Sequence, residues 1–190
     1  MIPAGYLYKE IVGAPDWVGA PAGTVVYSLS NCISDDFTDY IPYWRHNGFW
    51  LFDSVETLES VADRANLDTS GLSLLYYEVF EEEYDENGHC WVSVAPDPDI
   101  RTSVRPPPAK HLLGFDVVTF SCRNTPECSP LSCNALAREI RVNRYCLLDS
   151  LQTAREALDS GRFDGSEPGP FRIFAVYSLA PMHGATNPAD

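Results

Sequence analysis

Apolar residues recur along this chain at two spacings, and the two alternate in the same order twice. Phe37, Tyr40, Ile41 and Trp44 stand at i, i+3, i+4 and i+7, the spacing that lines up side chains on one face of a helix. Val55, Leu58 and Ala62 form a second stripe, and the later half repeats both with Cys133, Leu136, Ala137, Ile140 and then Leu151, Ala154, Leu158. Short apolar runs lie between the stripes at residues 49–52 and 145–148. Longer runs rich in β-branched and aromatic residues flank them, at 24–29 and 72–80 in the first half and 115–121 and 171–179 in the second. Each half is therefore predicted to run strand, helix, strand, helix, strand. Residues 6–12 add a further strand at the amino end.

The two halves also share residues at an offset of 96. Between positions 32 and 63 that offset pairs Cys32 with Cys128, Arg45 with Arg141, Asn47 with Asn143 and Leu51 with Leu147. It also pairs Asp53 with Asp149, Ser54 with Ser150, Thr57 with Thr153 and Asp63 with Asp159. Asp53 and Asp149 precede the second helix of each half, with Glu56 and Gln152 three residues on, the spacing of a capping box. Both aspartates are accordingly expected to cap helices. The expected fold class is α/β, or α+β: two tandem strand-helix-strand-helix-strand repeats packed into one compact unit with a pseudo-two-fold relation. The expected boundaries are an acidic first repeat over residues 1–95, a proline-rich linker over 96–110, a second repeat over 111–180 and a flexible tail over 181–190.

Charge changes the picture by half. The chain of 190 residues holds 13 Lys and Arg against 27 Asp and Glu, a formal net charge of −14. Residues 1–95 carry 3 basic and 16 acidic residues, while residues 96–190 carry 10 and 11. The acidity is concentrated at Asp35, Asp36 and Asp39 and in the run Glu81, Glu82, Glu83, Asp85 and Glu86. A face of one sign steers a partner of the opposite sign and argues against nucleic acid. These eight residues are the expected docking surface for a basic protein partner. Arg138, Arg141 and Arg144, expected along one helix flank, offer an internal partner for the same charge.

No EF-hand spacing and no Cys-x-x-Cys pair occurs, so neither a metal nor a cofactor is expected, and a zinc site built from Cys122, Cys128, Cys133 and Cys146 is disfavoured. The glycine-rich loops that cradle nucleotide phosphates are missing too. The amino end has no signal-peptide pattern, and no apolar run is long enough to span a membrane. The expected location is the cytoplasm, with the six cysteines reduced.

The stretch around Cys122, Cys128 and Cys133 packs three thiols into twelve residues. It reads as a strand, a loop and a helix with Ser129 as cap and Pro130 in the first turn. Cys128 then stands just outside a helix amino end, where unpaired amides lower a thiol's pKa, and Cys32 holds the corresponding place in the first half. Both are candidate catalytic residues. No histidine is placed beside Cys128 by the sequence, so a general base is lacking. Cys133 and Cys146 read as small apolar core residues. Two functional readings follow. The first is an acidic binding or inhibitory protein, immunity- or adaptor-like, that docks a basic macromolecule through its first half. The second is a thiol-dependent enzyme or redox-sensitive protein acting through Cys128.

Overall fold

The computed structural model describes residues 1–34, 47–94, 103–121 and 125–179. Its centre is an antiparallel sheet of five strands. These are β1 (Ile2–Lys9), β4 (Ser73–Asp85), β5 (Cys90–Ser93), β6 (His111–Thr119) and β7 (Phe171–Ser178), and two-residue strands β2 (Val12–Gly13) and β3 (Val25–Val26) form a separate ribbon. The strand order is β1-β4-β7-β6, with β5 pairing the far end of β4. Strand β4 of the first half hydrogen-bonds β7 of the second, with Tyr77 opposite Val176. One sheet thus runs through both halves.

Helix α1 (Val55–Ala65) precedes β4 and helix α3 (Leu151–Asp159) precedes β7, while the single turn α2 (Pro130–Cys133) follows β6. The apolar stripes seat the two longer helices: Leu58, Val61 and Ala62 are buried on α1 and Ala154, Ala157 and Leu158 on α3. Two packed clusters cover the sheet. Val118, Phe174 and Val79 fall in the first with the α1 residues, and Val117, Ile173 and Phe80 in the second with those of α3. Successive residues on a strand point to opposite faces, so each face of the sheet has its own core. Strand β7 is interior and buried along nearly all its length, which explains why its sequence is an apolar run and not an alternation. Truncating a fully buried leucine such as Leu58 is expected to cost roughly 2–5 kcal/mol.

The same local geometry occurs at Gly5 and at Gly114. Both have positive φ, +139° and +151°, and the space a Cβ would fill is taken by the backbone oxygen of Phe52 in one case and Leu148 in the other. Asn47 donates from Nδ2 to the Ala4 carbonyl, as Asn143 does to that of Leu113, and each accepts two loop amides on Oδ1. Tyr6 then bridges Phe52, and Phe115 bridges Leu148.

The fold differs from the sequence reading in several places. The sheet is wholly antiparallel, which makes the class α+β and not layered α/β. Residues 24–29 contribute only β3, outside the main sheet. The runs at 49–52 and 145–148 are turns with one bridge each, because Trp50 and Cys146 take left-handed backbone at φ 61° and 58° and break extension. The stripe from Cys133 to Ile140 is not one helix: Ala135, at φ 58°, separates α2 from a 3-10 turn at Leu136–Arg138, so the three arginines do not share a helix flank. Arg138 reaches the Trp17 carbonyl instead. The caps are Ser54 and Ser150, whose hydroxyls accept the amides of Thr57 and Thr153 at 3.2 and 3.0 Å. Asp53 holds Ser103 and Asn47. Strand β4 runs on through the acidic residues to Asp85 and turns into β5, a hairpin the hydrophobic pattern does not reveal. The expected helix over residues 37–44 and the tail 181–190 lie outside the described residues, as does 96–102 of the linker.

Candidate functional site

The site forms where the loop after β3 meets the segment after β6. Leu29 is fastened from both sides: its amide donates to Asp116 Oδ2 at 2.8 Å, and its carbonyl accepts from Lys9 Nζ at 3.1 Å. Lys9 also donates to the Ser30 carbonyl at 2.7 Å. Both side chains are fully buried. The next link is reciprocal, since Ser30 N donates to Ser129 Oγ and Ser129 N donates to Ser30 Oγ, at 3.3 and 3.1 Å. The Ser129 hydroxyl in turn donates to Asp116 Oδ2 at 2.6 Å. Ser129 makes no side-chain cap on α2; its hydroxyl oxygen accepts from the Ser30 amide instead. On the other side Cys128 is tied to the end of β6, its amide donating to Thr119 Oγ1 and its carbonyl accepting from the Thr119 amide.

These ties bring together Cys32, Cys128 and Cys133, whose sulfurs all lie within 4.8 Å of one another. Cys32 is exposed, Cys133 half-buried and Cys128 buried. Cys32 Sγ donates to the Glu127 carbonyl at 3.3 Å, and Cys128 Sγ donates to Asn134 Oδ1 at 3.3 Å. Ser30 Oγ lies 3.3 Å from Cys133 Sγ. The three thiols border a cavity of about 440 Å³ that Trp17, Glu127 and Glu167 also line. Glu127 is held in place, with Oε2 accepting from the amide and hydroxyl of Ser121 at 2.8 and 2.5 Å.

Three thiols this close cannot all ionise. The first proton leaves the exposed sulfur, because a thiolate there is solvated from one side. The Cys128 and Cys133 thiols accordingly pull Cys32 down to about 3, with smaller help from Ser30 and Lys9. Cys128 and Cys133 are pushed up, since a second negative charge beside the first is opposed by the shared hydrogen bonds, burial and repulsion. Of the two cysteines singled out by the sequence, Cys32 is thus held down and Cys128 pushed up. Asp116 is raised to about 7 by burial, against the pull of Ser129 and the Leu29 amide, and its Oδ1 has no hydrogen-bond partner.

Other expected site residues lie apart. Cys146 is buried in the second core cluster and its thiol is pushed up to about 12 by burial. Cys122 and the carboxylates Asp35, Asp36 and Asp39 fall outside the described residues. In the β4 run, Glu83 pairs with Arg172 at 2.7 Å and Glu82 with Arg155 at 3.9 Å. Glu86 accepts the Gly169 amide, Asp85 the Asn87 amide, and Glu81 lies 3.7 Å from the amino terminus. Among the described residues, the second-half arginines that meet first-half acids are Arg155 and Arg172.

Three sulfurs can hold a thiophilic cation, zinc included, with a position left open, whereas a closed zinc site needs four ligands. Among the described residues no fourth His, Cys, Asp or Glu joins the group. No histidine lines the cavity among the described residues either. The sequence reading missed Cys133, Lys9, Asp116, Ser30 and Ser129. One signal was available, an aspartate at 116 inside an otherwise apolar strand, where a charge must have partners. No family model, no curated protein and no solved structure matches this chain.

Proposed function

We propose that this protein carries out thiol–disulfide exchange, with Cys32 as the attacking thiol and Cys133 as the second. The observation that carries the reading is the convergence of three sulfurs within 4.8 Å at a cavity wall, one of them exposed. In the first step the Cys32 thiolate attacks one sulfur of a substrate disulfide. A bond forms between Cys32 Sγ and that sulfur, the substrate S–S bond breaks, and the other sulfur leaves as a thiolate that takes a proton from water. Cys133 then attacks Cys32 Sγ, the bond from Cys32 to the substrate sulfur breaks, and the Cys133 proton passes to that second sulfur as it leaves. Two protein thiols are oxidised to one disulfide and one substrate disulfide is reduced to two thiols. An external dithiol restores the start. Such a cycle fits a reducing compartment, which we take to be the cytoplasm.

The test is alkylation by iodoacetamide across pH, mapped by mass spectrometry. Cys32 is expected to react near pH 5, well below the ordinary thiol range around 8.5, while Cys128 stays unlabelled in the folded protein. A Cys32 rate that rises only near pH 8 overturns the reading. So does the absence of a Cys32–Cys133 linkage after treatment with a small disulfide.

Docking of a basic partner through the acidic half has narrower support, because Glu82 and Glu83 already face arginines. Its support is the net charge of −14 and the carboxylates Asp35, Asp36 and Asp39, which lie outside the described residues. We further read the chain as two tandem copies of a strand, loop, helix and strand unit related by a pseudo-two-fold axis between β4 and β7. Support comes from the matched Gly5 and Gly114, Asn47 and Asn143, and Ser54 and Ser150. In this reading the first strand of each copy is β1 or β6.

A further inference from the structure

The lining of the cavity bears on which disulfide reaches Cys32, and this inference rests on the exchange reading above. Besides the thiols, the charged groups that line it are two carboxylates, Glu127 and Glu167, with no lysine, arginine or histidine among the described lining residues. Glu127 cannot swing away without giving up both hydrogen bonds from Ser121. Glu167 is exposed at the same wall. Trp17, 49% exposed, adds an aromatic surface to the lining, and the face of an indole attracts cations. A thiolate at Cys32 adds a further negative charge to the same space. At about 440 Å³ the cavity has the size of a small-molecule site.

We infer that the substrate of Cys32 is a small disulfide carrying positive charge, an aminoalkyl disulfide in chemical class, and that Glu167 selects it against anionic disulfides. A dicarboxylate disulfide of the same length meets repulsion from Glu167 and from the attacking sulfur. A diammonium disulfide meets attraction from both. The chemistry of exchange is identical for the two, so the discrimination lies in the encounter and in the mixed-disulfide transition state.

The experiment compares three disulfides of similar size: cystamine, bis(2-hydroxyethyl) disulfide and 3,3′-dithiodipropionate. Each rate with the full-length reduced protein is divided by the rate of the same reagent with N-acetylcysteinamide. The normalised rates are expected to fall in the order cationic, neutral, anionic, with at least a tenfold span. Glu167→Gln is expected to shrink that span several-fold, and Glu59→Gln, an exposed α1 carboxylate outside the lining, to leave it unchanged. Equal rates for the three reagents, or a span that Glu167→Gln and Glu59→Gln alter alike, overturn the selectivity while leaving exchange at Cys32 standing. No mixed disulfide on Cys32 with any reagent overturns the exchange reading itself.

Discussion

Lys9 and Asp116 grip the same residue from opposite directions, Asp116 taking the amide hydrogen of Leu29 and Lys9 donating to its carbonyl. The two come from β1 and β6, the strands at opposite ends of the order β1-β4-β7-β6. The loop that carries Cys32 is thereby referenced to both ends of the sheet.

Replacing Lys9 with methionine keeps the length of the side chain and removes its donors. The Leu29 and Ser30 carbonyls are then left buried without this partner, at a cost of roughly 1–3 kcal/mol for an unsatisfied group. Urea unfolding of Lys9→Met is expected to show a loss of about 2 kcal/mol together with slower alkylation of Cys32. An unchanged midpoint and an unchanged rate would mean that the loop is held by other contacts.

Asp116 gives a pH signature of known sign. Its folded pKa of about 7 lies above the ordinary aspartate value of 3.8, so its contribution to stability is complete below pH 3.8 and is lost as pH rises through 7. Lys9 and Ser129 face it, and Cys133 adds repulsion. Asp116→Asn stays neutral throughout. The stability of the wild type minus that of Asp116→Asn should therefore fall between pH 4 and pH 8, by a few kcal/mol at the upper bound, taking about 1.4 kcal/mol for each pH unit. A difference that is flat across this range contradicts an uncharged Asp116 in the folded core.

The caps distinguish serine from aspartate. Ser150→Ala removes the acceptor for the Thr153 amide at 3.0 Å and is expected to cost about 1 kcal/mol, with Ser54→Ala similar. Asp149→Ala, at an exposed position, should cost less than about 0.5 kcal/mol. Thermal denaturation of the three variants checks the order, and a larger loss at Asp149 reverses the assignment.

Gly5 and Gly114 are each predicted to reject alanine. A Cβ on Gly5 meets Phe52 O at 2.6 Å and Leu51 Cβ at 2.7 Å, and one on Gly114 meets both Leu147 Cβ and Leu148 O at 2.8 Å. With positive φ added, each substitution should cost about 2–4 kcal/mol. Gly71→Ala, where a Cβ meets nothing within 4 Å, is the control and should be near neutral. Tolerance at Gly114 in denaturant titration would show that the β6 bulge and the loop below it are free to move apart.

Much of this architecture was legible in local pattern. The stripes at Val55, Leu58, Ala62 and at Leu151, Ala154, Leu158 marked α1 and α3, and the runs at 72–80, 115–121 and 171–179 marked β4, β6 and β7. Helix and strand periodicity is written residue by residue, because it reflects how each side chain meets its near neighbours in the chain. The offset of 96 that pairs Asn47 with Asn143 and Ser54 with Ser150 was legible for the same reason. Cap identity was not, since Asp53 and Ser54 are both good capping residues and only the backbone at the helix start decides which one faces the open amides.

The candidate site was half legible. Cys32 and Cys128 stood out by position, but their opposite proton affinities depend on a third thiol, Cys133, that reads as a core residue in the pattern. Lys9 and Asp116 are separated by more than a hundred residues, and nothing in one dimension says that they hold the same loop. The sequence by itself determined α1, α3, β4, β6 and β7 and which residues are chemically able to act. Tertiary structure decided which of them meet, because strand order, bulges and buried hydrogen bonds are set by packing between distant segments, and a thiol's ionisation follows from its neighbours in space.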